Sequence, residues 1–196
     1  MYSNESIMEA SLMTQTKPMI GMILGSNRPA RIGDAVATWA LNTLQHPAYD
    51  MKLIDLAETA LPFLNEPDIP AHGHYQNPST QAFADVIAGC AGFVLVFPQY
   101  NWGYPAVLKN ALDTLYAEWA NKPVGTLIYG GHTFQADLAI RLVLTGLHMD
   151  QLATNVGIHL PIEINKAEVA QACTPYSPLV KAMGEELTLR LAHAHN

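Results

Sequence analysis

Two short stretches gather the groups that could hold a phosphorylated aromatic ligand. The first, Gly25-Ser26-Asn27-Arg28-Pro29-Ala30-Arg31-Ile32-Gly33, joins an apolar run to an amphipathic segment. A helix N-terminus offers unpaired backbone donors and a partial positive charge. With a hydroxyl, an amide and two guanidinium groups added, such a turn suits a phosphate monoester. An ordinary strand-to-helix turn with two solvated arginines would look the same. The sequence holds neither GxxxxGK[ST] nor GxGxxG, so ATP hydrolysis and a standard dinucleotide fingerprint find no support.

The second stretch, Pro98-Gln99-Tyr100-Asn101-Trp102-Gly103-Tyr104-Pro105, puts three aromatics beside amide side chains. A flat heteroaromatic ring needs flat apolar neighbours and polar edge contacts. Pro and Gly keep the backbone irregular, which frees its polar groups for a ring edge. The same aromatics would also serve at a sheet edge or a subunit contact. The pairs His72/His74 and His193/His195 have no acidic or cysteine partner beside them in sequence, and no metal is expected.

The elements that must position these stretches follow from hydrophobic periodicity. Residues 19–24, 51–56, 92–97, 123–129 and 155–160 read as strands, and 33–44, 80–88, 134–147 and 178–192 as helices. A further helix opens at Pro105 and presents Leu108, Leu112, Leu115 and Trp119 on one face. Residues 57–78 form a long, proline-rich connection. Strands alternating with helices imply an α/β fold, a three-layer sandwich with a parallel sheet covered on both faces. Five strands favour the flavodoxin-like order 2-1-3-4-5. Ligands then bind beyond the C-terminal strand ends, where both stretches fall. Residues 1–17 read as a mobile leader and 18–196 as one domain.

Of 196 residues, 49% are apolar and only 14% charged, for a net charge of −7. That composition excludes a disordered chain and fits an oligomer with buried surface. Without a basic cluster, nucleic acid is set aside as a partner. No apolar run has the length of a membrane span and no signal peptide is read, so no membrane association and a cytoplasmic location are expected. Cys90 and Cys173 form neither a disulfide framework nor a metal pattern.

The ordered set of motifs resembles the NAD(P)H-dependent FMN reductase family. It comprises Ser26-x-Arg28, Pro98-Gln99-Tyr100-Asn101, Pro105 to Asp113, Lys122-Pro123 and Tyr129-Gly130-Gly131. Asn101 to Pro105 and Gly146 to Met149 point to its fungal quinone- and azo-dye-reducing members. The resemblance implies that Ser26, Arg28, Arg31, Ile32 and Gly33 hold the FMN phosphate. It implies that Pro98, Gln99, Tyr100, Asn101, Trp102 and Gly103 run along the isoalloxazine, with Tyr129, Gly130, Gly131 and His132 approaching from the third loop. It further implies NADPH or NADH as co-substrate, a small-molecule electron acceptor, and a homodimer or homotetramer. Two departures stand out: Gln99 replaces a common acidic residue, and Phe134 occupies a stretch that is usually glycine-rich.

The expected activity is ping-pong hydride transfer to quinones, azo compounds or free flavin. No side chain need act as nucleophile or obligatory base, so no catalytic residue is assigned. A flavodoxin-like electron carrier or flavin-binding module without turnover is the alternative, since the fold hosts both.

Overall fold

The computed structural model describes residues 16–193. The expected leader, 1–17, lies outside the described residues except for Thr16 and Lys17. The sheet is built from β1 (Met19–Leu24), β2 (Asp50–Asp55), β3 (Gly92–Pro98), β4 (Pro123–Tyr129), β5 (Asp150–Gln151) and β6 (Val156–Ile158). All pairings are parallel, in the order β2-β1-β3-β4-β5, with β6 also on β4. This is the five-position flavodoxin-like arrangement, and its last position is divided between two short strands.

Burial explains the continuous apolar runs. Every residue of β3 and β4 is buried, because helices cover both faces. Val94 and Val96 point into one core layer, while Phe93, Leu95 and Phe97 point into the other. The first layer is closed by α1 (Gly33–Thr43), α6 (Val169–Cys173) and α7 (Ser177–His193). The second is closed by α3 (Pro78–Ala88), α4 (Ala106–Thr114) and α5 (Thr133–Gly146). The short α2 (Leu56–Thr59) begins where a continuing strand was expected. Asp55 ends β2 by accepting a hydrogen bond from Ala57 N–H at 2.9 Å, which caps the helical turn.

Other elements also differ from the periodicity. Helix α4 stops at Thr114 and Leu115 is extended, yet Leu108, Leu112, Leu115 and Trp119 are all fully buried. On α5 the core face is Ala136, Ile140 and Leu144, while Leu138 and Leu142 face outward. The connection 57–78 is pinned by Asn110, which donates to Pro62 C=O (2.8 Å) and accepts from Leu64 N–H (2.9 Å). The strand predicted over 155–160 is confined to Val156–Ile158; before it, Leu152 N–H still donates to Val124 C=O (2.9 Å) and residues 153–155 bulge away from β4. Asn155 Oδ1 accepts from Thr126 N–H at 2.9 Å, in place of a strand carbonyl. No helix among the described residues is long and apolar enough to cross a membrane.

Trp119 packs edge-on against Phe93 and Phe83, at centroid distances of 5.0 and 6.2 Å. Its indole N–H is buried without an acceptor. Trp119→Ala is expected to cost about 3–5 kcal/mol through the cavity it leaves. Trp119→Phe costs clearly less, because the orphaned N–H goes with the lost ring. Urea denaturation checks the order of the two variants. Glu186 holds the bulge by accepting from Ala153 N–H (2.8 Å) and Thr154 N–H (2.9 Å). Burial pushes its carboxyl up, but these amides and Arg190 outweigh burial and leave it below its ordinary range. Its contribution is therefore present above the unfolded-state value and lost as pH falls through the lower folded one. Glu186→Gln should cost about 1–2 kcal/mol at neutral pH and progressively less in acid, measured by denaturation across pH.

Candidate functional site

The loop after β1 leaves the sheet beside the ends of β3 and β4. Gly25 N–H still donates to Val96 C=O (2.8 Å), and the next residue, Ser26, is buried. Arg31 closes the loop onto itself. Its guanidinium grips both carboxylate oxygens of Asp55, one at 2.8 Å, and also donates to Ser26 C=O. The hydrogen bonds it donates to Asp55 raise the guanidinium above its ordinary value against the pull of burial. Arg31 is thereby spent on shaping the turn. Arg28 is exposed and forms no ion pair among the described residues. No described residue accepts a hydrogen bond from the amides of Ser26, Asn27, Arg28 or Ala30. The turn thus offers free backbone donors, one buried hydroxyl and one free cation.

Asp55 was not legible as part of this site. Its signal was positional: it pairs in register with Leu24, so it ends its strand beside the loop. The register could be inferred only once β2 was known to neighbour β1.

Gly33 and Tyr129 meet beneath the loop. Gly33 is the first residue of α1, and a Cβ there would lie 2.4 Å from Tyr129 Oη and 2.9 Å from Leu24 Cδ1. Only glycine lets the helix start settle on that ring. Ile32 precedes it as the N-cap, partly buried against the core. Burial pushes the Tyr129 phenol well above its ordinary value, and neighbouring Tyr100 adds to the shift. The Tyr129 phenol remains a neutral donor. Ser26 Oγ lies 3.4 Å from Tyr100 Oη, linking the first loop to the second.

The loop after β3 extends the sheet and then turns sharply. Pro98 is the buried end of β3, and Gln99 N–H donates to Tyr129 C=O (3.1 Å). Tyr100 and Gly103 exchange two backbone hydrogen bonds, of 3.0 and 2.8 Å. Between them Asn101 (φ 48°) and Trp102 (φ 66°) both occupy the left-handed region. Such a turn is common for Asn-Gly, and holding Trp there costs about 1 kcal/mol or more. The Trp102 ring is 60% exposed and stands 6.0 Å from the His132 ring.

The loop after β4 completes the cleft. Gly130 N–H donates to Ile158 C=O (3.0 Å), and Gly130 has φ 108°, a conformation that favours glycine. A Cβ on Gly130 or Gly131 would meet nothing within 4 Å, so both border open space. A cleft of about 310 Å³ runs between the three loops. Ser26, Arg28, Arg31 and Ile32 line it from one side, Pro98, Gln99 and Tyr100 from another, and Tyr129, Gly130 and Gly131 from the third. The sequence expectation missed a fourth wall, Leu160, Pro161 and Ile162, which follows β6. Of the other residues expected at the site, Gly33 lies against Tyr129, while Asn101, Trp102, Gly103 and His132 belong to the same loops but do not line the cleft.

Elsewhere, Asp68 hydrogen-bonds the Nδ1 atoms of His72 (2.8 Å) and His74 (3.2 Å), giving that pair the acidic neighbour its sequence surroundings did not suggest. No group of three His, Cys, Asp or Glu among the described residues is arranged to hold a metal.

The Gly33–Tyr129 contact is directly testable. Gly33→Ala should destabilise by about 1–3 kcal/mol through overpacking. Most of that cost should vanish in a Tyr129→Phe background, as read from a double-mutant denaturation cycle. An equal cost in both backgrounds would refute the contact as the cause.

Comparison with known proteins agrees with this geometry. Residues 18–160 match the family model described as NADPH-dependent FMN reductase. An NAD(P)H-dependent FMN reductase of Schizosaccharomyces pombe is 44% identical over 118 residues, 59% of each chain. One of Saccharomyces cerevisiae is 35% identical over 156 residues, covering 73% of this chain and 81% of the relative. Among solved structures, the flavoenzyme NAD(P)H:(acceptor) oxidoreductase of Paracoccus denitrificans superposes with a TM-score of 0.70 at 16% identity. It covers 90% of this chain and 98% of the other, and shows the shared fold. The match spans most of the domain and takes in all three loops of the cleft, and on that ground the chain belongs to the NADPH-dependent FMN reductase family of oxidoreductases.

Proposed function

We propose that the cleft binds FMN and that the protein reduces small aromatic acceptors with NADPH or NADH. The observation that carries this reading is the convergence of three loops on one cleft, with unpaired amides and a free Arg28 at one end. Those groups suit a phosphate. The open backbone at Gly130 and Gly131 and the turn from Gln99 to Trp102 suit a flat ring and its polar edge. When bound, FMN supplies the redox chemistry: hydride in from NAD(P)H, then out to a quinone, azo compound or free flavin in ping-pong order.

The chain's own residues bind and orient. Ser26, Arg28 and the loop amides hold the phosphate, and Arg31 fixes the loop through Asp55. Ile32 and Gly33 set the height of α1 against Tyr129. Among the described residues the Gly131 N–H, in the loop after β4, has no acceptor and favours negative charge developing on the ring edge. The Trp102 and His132 rings stand 6.0 Å apart on the second and third loops, and no residue acts as obligatory base. Phe134, 67% exposed at the start of α5, follows directly on the loop after β4 and supports an altered acceptor range.

Phe134, Leu138 and Leu142 form an exposed apolar stripe at helical spacing, which supports assembly as a homodimer or homotetramer. Buried, unpaired Cys90 and Cys173 support a reducing, cytoplasmic setting.

Titration of the apoprotein with FMN and with riboflavin tests the site. FMN should bind more tightly, and Arg28→Ala should cost roughly tenfold or more in FMN affinity while leaving riboflavin unchanged. Equal affinity for both flavins in the wild type would remove the phosphate assignment. Steady NADPH oxidation with menadione is the expected activity, and a protein reduced once without turnover would be a carrier.

A further inference from the structure

We propose that Gln99 is a positioning residue that couples the second and third loops of the cleft, and that its lack of charge is what allows it. The proposal rests on the reading of the cleft as the flavin site. In the amide orientation that satisfies both ends, Gln99 Oε1 accepts from the N–H groups of Asn101 (3.0 Å) and Trp102. Its Nε2 donates to Gly131 C=O at 3.1 Å.

One side chain therefore does two things. Its oxygen gathers the two amides of a turn whose central residues are both left-handed, Trp102 among them. Strain of this kind persists only where neighbours over-determine the backbone. Its nitrogen ties that turn to a glycine loop that nothing crowds, since a Cβ on Gly131 would meet no atom within 4 Å. Gly131 thus relies on a hydrogen bond, not on packing, for its place.

The choice of amide follows from the donor inventory. A neutral amide accepts and donates at once, whereas a carboxylate only accepts. An acid at position 99 would keep the turn but face Gly131 C=O with a second acceptor. Only its protonated form would reproduce both bonds. Gln99, the departure noted in the sequence, thus makes the coupling independent of pH.

Two measurements on the full-length protein test this. The ratio of FMN dissociation constants, Gln99→Glu over wild type, is followed across pH, which cancels titration of the FMN phosphate itself. It should lie near one where the introduced carboxyl is protonated and rise to roughly three- to tenfold where it is ionised, the worth of one hydrogen bond. A ratio that does not change with pH overturns the proposal. Amide hydrogen exchange without FMN is the second readout. Gln99→Leu should speed exchange at Asn101 and Trp102 roughly tenfold, while Gln99→Glu keeps both protected. Unchanged exchange in Gln99→Leu also overturns the proposal. If the wild type fails to bind FMN, the flavin reading falls, and exchange alone still decides whether the clamp exists.

Discussion

Leu24 pairs with Val96, and Val96 with Leu127, so β1, β3 and β4 run level with one another across the middle of the sheet. Their following loops leave from one edge at nearly one height. A parallel sheet gives this only when both faces are buried, because each crossover must return over a helix. The two core layers around β3 and β4 enforce that burial. A slip of one residue would exchange the layers and carry Tyr129 to the wrong face. The position of every cleft residue depends on this alignment.

Within that frame the cleft relies on dipoles more than on net charge. Arg31 is matched by Asp55, so its charge is largely cancelled where it sits. Much of what remains at that end of the cleft is backbone N–H and, among the described residues, a single free guanidinium. Buried Ser26 and the neutral phenol of Tyr129 continue the same character. Such groups are held by covalent geometry and packing, so they need little reorganisation around a ligand. That is consistent with a chain of low charge content and an acidic net balance.

The sheet order and the three loops were legible in the sequence because each strand is a contiguous apolar run bounded by turn residues. Ser26, Gln99 and Gly130 could be placed at the ligand edge from order alone. Asp55 could not, since its meaning depends on which strand neighbours β1. The wall from Leu160 to Ile162 was not legible, because it reaches the cleft only through the pairing of β6 with the end of β4. Helix α5 carries apolar residues on two faces, and periodicity did not say which one meets the core. The bulge at 153–155 was invisible for a related reason: it depends on side chains, Asn155 and Glu186, supplying what backbone would otherwise supply.

That bulge bears on how the protein lives with its neighbours. A straight strand on the β4 side would have presented an unbroken row of donors and acceptors, an invitation to a strand from another molecule. The interruption leaves only two brief pieces, Asp150–Gln151 and Val156–Ile158. Thr126 N–H is already taken by Asn155, and Glu186 occupies the amides of the protruding segment. This rim is therefore too short and too broken to template intermolecular β-pairing.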